Sequence, residues 1–363
     1  MESIFRAMSK SELAPLHGAM LRALNEHGEL SIPALRALSP LSDKAQVLVD
    51  RAVVEVGLER LQFVADVMAD GLVYGLPDPL SVTQLEWDQE SKAGGAMRTM
   101  SPAARQENQA LDRKHQRLPI YCTMEGFSLD IRTLKMSERI GAPLDVSIVK
   151  QATRRVNEAI EDAAINGTTT NDGSTFQVSG PTTSTLYTCP GLLNNGGGLP
   201  SGAVVNSANN STDWSTSGTV GTQGPAMVAD VLSAILSLQQ ARKFGPYRLI
   251  LGTKAGVVIN NDFKVYSSDT IRQRLEDIDT GGGKLQITIA DRMPDGGTTG
   301  QVQFALVQMT NDVVEMVNGQ PPTVIPWTSL DGFTLHWVVL AIMIQRVRCD
   351  YNGNFGVYTG LHS

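Results

Sequence analysis

A chain of 363 residues with 42% hydrophobic content is long enough for one elaborated domain or for two to three simple ones, each with its own core. A net charge of −7 argues against a dedicated nucleic-acid binder, and three scattered cysteines, Cys122, Cys189 and Cys349, argue against a disulfide framework. The longest apolar run, Trp337 to Ile344, falls far short of the roughly 18–20 residues that cross a bilayer, and no signal-type run opens the chain, so a soluble protein of a reducing cytoplasm, with no membrane partner, is expected.

Met1 to about Gly71 reads as helical. Leu13, Leu16, Met20, Leu21 and Leu24 share a face of one segment. A longer helix, capped at Ser42 or Asp43, runs through Val47, Val54, Leu61, Val64 and Met68 and stops at Asp70-Gly71. With little β signal, this part suits an arm that packs on neighbours. Ser81 to Glu90 alternates through Thr83, Leu85 and Trp87 and predicts a strand. Ser91 to Arg117 then forms a polar stretch with a basic majority before the next strand. Two strands joined by so long a tip make a projecting hairpin that must pack on another surface.

Leu118 to Ile131 reads as one extended strand. Ile120, Cys122 and Met124 lie on one face and Phe127, Leu129 and Ile131 on the other, and the parity slip at Glu125-Gly126 predicts a bulge or a bend around the glycine. After Gly141-Ala-Pro143, Asp145 is placed to cap a long amphipathic helix. Its apolar positions are Ile148, Val149, Ala152, Val156, Ala159, Ile160 and Ala163; Glu158 and Glu161 fall on the remaining faces, and Asn166-Gly167 supplies the stop. Such a helix looks like a structural spine. From Lys92 to Arg155 there are twelve Lys/Arg against six Asp/Glu, whereas Val156 to Ala241 contains no Lys or Arg at all.

Thr168 to Gln223 is rich in Thr, Ser, Gly and Asn, which predicts loops or short exposed strands. Met227, Val228, Val231, Leu232, Ile235 and Leu236 mark a second amphipathic helix closed by Gly245-Pro246. Tyr247 to Leu251 reads as a buried strand. Thr253 to Asn261 and Tyr266 to Glu276 read as short helices, and Gln286 to Ala290, Val302 to Met309 and Asp312 to Val317 as strands. Phe333 to Arg348 is a long strand, apolar on both parities at its centre and therefore central in its sheet. Asn352-Gly-Asn-Phe-Gly356 is a turn, and Val357-Tyr358 a short last strand. The sum is an α+β protein.

This order of elements resembles the HK97-type fold of tailed-phage major capsid proteins and the related encapsulin shells. The likeness rests on Leu118-Pro-Ile…Phe127-Ser-Leu…Asp145…Ala164-Ile165-Asn-Gly167, on Arg248-Leu-Ile-Leu-Gly252…Ala255-Gly-Val-Val-Ile259, and on the terminal Phe333–Val347 strand. It implies an N-terminal helical arm (1–75), an E-loop hairpin (76–122), a peripheral domain with the spine helix (123–167 and 331–363), and an axial domain (168–330) containing the insertion 168–223. It also implies self-assembly into pentamers and hexamers of an icosahedral virion head formed in the host cytoplasm. Portal, scaffold or decoration proteins are its expected partners, with packaged double-stranded DNA held by non-specific contact. The basic hairpin residues Lys92, Arg98, Arg105, Arg113, Lys114 and Arg117, with Trp87 and Met97 as apolar anchors, are then candidates for contact with an adjacent copy. Lys92 with Asn352 or Asn354 is the one pairing available for an isopeptide crosslink of the kind some such capsids form. Because the arm begins at Met1, assembly without proteolytic trimming is expected.

Catalytic signatures are missing from the sequence. There is no HExxH, no CxxC pair, no GxSxG and no GxxxxGK[ST], so neither an enzyme nor a cofactor is expected. Gly281-Gly-Gly-Lys284 reads as a surface turn rather than a phosphate loop, and Asp291 and Asp295 as an ordinary turn rather than a calcium site. His336 is expected in an interior or interface role and Cys189 as an inert thiol. Trp214 and Trp327 are left between interface anchors and local packing. The readings outside the phage head are an encapsulin-type compartment, a tail or baseplate protein, and a soluble α+β hydrolase.

Overall fold

The computed structural model describes residues 62–91, 111–130, 147–167, 177–179, 184–186, 189–193, 205–210, 213–215, 222–264, 269–294, 301–328 and 333–362, with 100, 132, 136 and 218 besides. In chain order these give α1 (Gln62–Ala69), β1 (Val73–Gly75), β2 (Gln84–Glu90), β3 (Arg113–Pro119), β4 (Thr123–Asp130) and α2 (Ser147–Asn166). The short β5 (Gln177–Ser179), β6 (Ser184–Leu186) and β7 (Val205–Asn210) follow, then α3 (Gln223–Gln240), β8 (Tyr247–Leu251), α4 (Thr253–Val258) and α5 (Ile271–Glu276). The last five elements are β9 (Gln286–Ile289), β10 (Val302–Gln308), β11 (Val314–Thr328), β12 (Thr334–Val347) and β13 (Val357–His362). The helices expected before residue 62, including the cap at Ser42 or Asp43, lie outside the described residues, as do most of 168–221 and the hairpin tip.

Two sheets organise the chain. One is four-stranded in the order β1-β11-β12-β4, with β12 central as its doubly apolar sequence requires. The other is five-stranded in the order β7-β13-β10-β8-β9. All five residues of β8 are buried, because helices α3 to α5 cover one face of this sheet while the other joins the core beneath the spine helix α2. The last strand, β13, belongs to this second sheet and is longer than the expected Val357-Tyr358 pair. The C-terminal segment therefore leaves one sheet at Val347 and enters the other at Val357.

The spine helix ends where Asn166-Gly167 predicts, with Gly167 at φ +71, a conformation that costs glycine little. Leu192 N–H donates to the Ala164 carbonyl at 3.1 Å and Leu193 N–H to Ile165 at 2.9 Å, so a loop satisfies the helix's last acceptors. Gly191 makes this approach possible, since a Cβ there would lie 2.2 Å from the Gly167 nitrogen. On the helix, Val149, Ala152, Val156 and Ile160 are buried as the spacing requires, each aliphatic contributing about 1.5–3 kcal/mol. Ala159 is exposed instead, and the buried stripe takes in Thr153, Asn157 and Glu161. Glu161 is thus not on a solvent face.

Three further strand readings differ from the structure in ways that have a physical cause. The stretch read as one strand, Leu118 to Ile131, contains two strands in different sheets, with the passage at Ile120 to Cys122. Because β4 pairs with β12 in unbroken register from Thr123 to Asp130, no bulge occurs at Glu125-Gly126. The parity change reflects the move between sheets: Leu118 and Ile120 pack under the hairpin, while Phe127 stacks on Trp337 at 5.4 Å. Met124, placed with Ile120 in the sequence, is exposed. Next, β3 begins at Arg113, inside the stretch read as loop. Finally, β11 continues past Val317 to Thr328 despite Pro321, Pro322 and Pro326. Register shifts at Asn318/Gln320 and Gln320/Thr323 absorb the first two prolines. β1 pairs only with Met316 to Asn318, so all three occupy a part of β11 whose second edge has no strand partner among the described residues, where a missing N–H costs little.

Candidate functional site

A cross-strand ladder of two ion pairs and one histidine–carboxylate contact lines one face of the hairpin. In the β2–β3 register Glu86 faces Arg117, Asp88 faces His115 and Glu90 faces Arg113. Arg117 Nε lies 3.0 Å from Glu86, and Arg113 lies 3.0 Å from Glu90; His115 Nδ1 contacts the Asp88 carboxylate. These three rungs share the exposed face, where each is worth only a few tenths to 1 kcal/mol. The opposite face points into the chain. Gln89 donates to the Cys349 carbonyl at 3.0 Å and accepts from Gln116 at 3.3 Å. Lys114 Nζ donates to the Tyr351 carbonyl at 3.1 Å and lies 4.1 Å from the Tyr351 ring centroid. Tyr351 in turn donates its hydroxyl to Asp112 at 3.2 Å.

Arg113, Lys114 and Arg117 are thereby engaged within their own chain. Trp87 is half-buried against a cluster that includes Leu76, Leu118 and Ile342, with the Arg346 guanidinium 5.4 Å from its ring. So the base of the hairpin is fixed to the turn after β12 in the same molecule. Lys92, Met97, Arg98 and Arg105 lie outside the described residues. Asn354 is occupied in that turn, donating its side-chain amide to Asp350 at 3.1 Å.

Two charge clusters not singled out in the sequence lie at element junctions. At the first, Glu161 of α2 accepts the Phe63 N–H at 2.7 Å and the Val64 N–H at 3.2 Å, capping the first turn of α1. Burial pushes the Glu161 carboxyl up to about 7; the two N–H donors pull it back, and Asp66 and Asp291 add to the rise. Further along α1, Asp66 and Asp70 take the buried Arg248 of β8 at 2.6 and 3.0 Å, and Thr288 of β9 donates to Asp66. The single helix α1 is therefore tied to α2 at one end and to the second sheet at the other. At the second cluster, Glu315 of β11 pairs with Arg346, its direct cross-strand partner in β12, and with Arg348 at 2.9 Å. The Arg346 guanidinium also lies 4.9 Å from the Tyr74 ring centroid.

The other singled-out residues take structural places. Lys284 of the Gly281–Lys284 turn pairs with Asp277 at 2.9 Å. His336 stacks on Trp327 at 5.5 Å. Trp214 is fully buried, donates Nε1–H to Asp230 at 3.2 Å and packs on Phe304 at 4.7 Å. Both tryptophans left open above thus pack locally. Cys189 is buried, and Asp295 lies outside the described residues.

No family model matches this sequence, and no curated protein is similar to it by sequence. Solved structures are similar in fold. The virus-like particle from Pyrococcus furiosus gives a TM-score of 0.54 at 14% identity, over 83% of this chain and 94% of that one. The capsid of Myoviridae phage XM1 gives 0.53 at 14% identity, over 81% and 91%. The capsid of the native GTA particle gives 0.54 at 10% identity, over 82% and 90%. The fold of this chain is the HK97-type capsid fold.

Proposed function

We propose that the chain is a shell-forming capsid protein, the major capsid protein of a tailed phage, whose copies tile as pentamers and hexamers into an icosahedral head around double-stranded DNA. The observation that carries this reading is the likeness to capsid structures over more than four-fifths of the chain and most of theirs. The layout of the charges supports it. The hairpin base is neutralised by its own ladder, which leaves Lys92, Arg98 and Arg105, with Met97, to meet the acidic surface of an adjacent copy. Each such exposed pair is weak, about 0–1 kcal/mol, and gains weight by repetition over the shell. Portal, scaffold and decoration proteins would bind the assembled lattice.

Expression of the chain followed by size-exclusion chromatography and negative-stain imaging tests the reading. Uniform megadalton particles are expected; a stable monomer or small oligomer overturns it. A second reading, a compartment that encloses protein cargo, draws on the likeness to the virus-like particle. The genes beside the one for this chain separate the two, a terminase and portal marking the first and a cargo enzyme the second.

A further inference from the structure

The segment from Gln62 to Leu76 touches the spine helix and both sheets, and three ties hold it. At its end β1 pairs with β11 of the first sheet, and Leu76 N–H donates to the Asn318 carbonyl at 3.0 Å. In its middle Asp66 and Asp70 hold the Arg248 guanidinium of the second sheet. At its start the Phe63 and Val64 N–H groups both go to Glu161 of α2. Phe63, Val64 and Val67 have no exposed surface, so the first turn of α1 is a plug in the core beside the spine helix. The ties answer differently to protons. Main-chain pairing does not titrate, and an arginine keeps its charge throughout. Glu161 is a carboxylic acid with 3% of its surface exposed, and its charge is the one that the closed strap must bury.

We infer that Gln62–Asp70 is a strap with one proton-dependent tie: its first turn is seated on the spine helix while Glu161 holds a proton and loosens when Glu161 ionises, the other two ties staying closed. A protonated carboxyl still offers acceptor lone pairs to both N–H groups, so the seated form loses no bond in acid. The surrounding charges favour that form. Burial first, then Asp66 on α1 and Asp291 after β9, raise the Glu161 carboxyl against the pull of its two N–H donors. The nearby cations are engaged elsewhere. Arg248 serves Asp66 and Asp70, and Arg292, next to Asp291, pairs with Glu158 of α2. In the first sheet Arg346 pairs with Glu315 against the Tyr74 and Trp87 rings. Lifting the first turn lets water reach the carboxylate, so opening becomes easier as pH rises. Phe63 and Val64 leave the core when it opens, which keeps the open form sparse and makes hydrogen exchange its natural probe. Nothing in this strap depends on assembly of the chain into a shell.

The test is hydrogen exchange of the full-length chain, resolved to single amides and corrected for the intrinsic pH dependence of exchange. Between pH 5 and pH 8 the opening constant at Phe63 and Val64 is expected to rise on the order of fiftyfold. Asp70, whose N–H donates to the Asp66 carbonyl at 3.0 Å, and Leu76 are expected to change by less than about threefold. An equal rise at all four amides marks opening of the whole fold and overturns the inference; so does a constant value at Phe63 and Val64. Glu161→Gln is expected to remove the pH dependence at these two amides, and its persistence overturns the inference as well. Where that variant fails to fold, Asp291→Asn replaces it. Asp291 is exposed, and loss of its charge is expected to move the midpoint of the rise to lower pH. An unmoved midpoint counts against the strap.

Discussion

The Glu161 carboxylate receives the Phe63 N–H at 2.7 Å across 98 residues of sequence, so a buried acid on the spine helix caps α1, the first helix among the described residues. The same carboxylate takes Val64 N–H, and both bonds favour its charged form. Burial and the nearby Asp66 and Asp291 oppose them and prevail. Asp66 is itself held by Arg248, and Arg292 beside Asp291 pairs with Glu158 at 2.8 Å. Glu161 therefore carries the net cost of a buried negative charge.

Proton linkage gives that cost a sign. The folded-state value of about 7 lies above the ordinary 4.5, so the folded chain holds the Glu161 proton more tightly than the unfolded one. The stabilisation is complete below pH about 4.5 and is lost as pH rises through about 7, a change of about 3 kcal/mol for this group. Urea unfolding of the chain between pH 5 and pH 8 is expected to show this fall. Glu161→Gln, which cannot ionise, is expected to flatten it whatever its effect on absolute stability. An unchanged slope in the variant would assign the pH dependence elsewhere.

The charge ladder predicts a reversal and a rescue. Arg117→Glu sets two carboxylates opposite each other at the Glu86 rung and is expected to weaken the hairpin by about 0.5–1 kcal/mol. Adding Glu86→Arg restores an opposite pair and most of the loss. Hydrogen exchange at the amides of β2 and β3 reads the local stability directly. Added salt is expected to shrink the difference, since all three rungs are exposed.

Gly191 offers a steric prediction. A Cβ at this position would meet the backbone of Asn166 and Gly167 at 2.2–2.8 Å, and backbone cannot give way as a flexible side chain can. Gly191→Ala is expected to lift the loop from the end of the spine helix, uncap Ala164 and Ile165 and unseat the buried Leu192. The cost is about 2 kcal/mol or more, seen as a lowered midpoint in thermal unfolding.

The sequence showed those features whose cause is local. Apolar spacing and Asn166-Gly167 defined the spine helix and its end, and the doubly apolar run Trp337–Ile344 identified the central strand. The order of such elements was enough for the HK97-type resemblance. Features with distant or unusual causes were hidden. The strand stretch Arg113 to Arg117 contains no apolar residue, so a search for apolar period two passed over it. Pro321 and Pro322 look like a turn until two register shifts against β12 accommodate them. Glu161 resembles a solvated helix charge because its partners lie at Phe63 and Val64. One trace of it was available: Val149, Thr153, Asn157, Glu161 and Ile165 recur every four residues, and the two ends of that row are apolar.

The Glu315–Arg346 pair separates a buried charge from a buried contact. Both side chains are nearly inaccessible, at 9% and 4% exposure, and they face each other across β11 and β12. Glu315→Gln leaves the Arg346 charge in the interior without its carboxylate, and Tyr74 and Trp87 offer only their ring faces in return. A loss of about 3–5 kcal/mol in urea unfolding is expected. Replacing both partners, Glu315→Leu with Arg346→Met, removes the charge along with its counter-ion and is expected to recover most of that loss, because the desolvation cost of the pair disappears with it. Arg348 loses a partner in either variant, but it is partly exposed and water can replace Glu315 there. The difference between the single and the double variant therefore isolates the unpaired Arg346 charge. A single-variant loss below about 1 kcal/mol would mean that water reaches this guanidinium and that the pair behaves as a surface one.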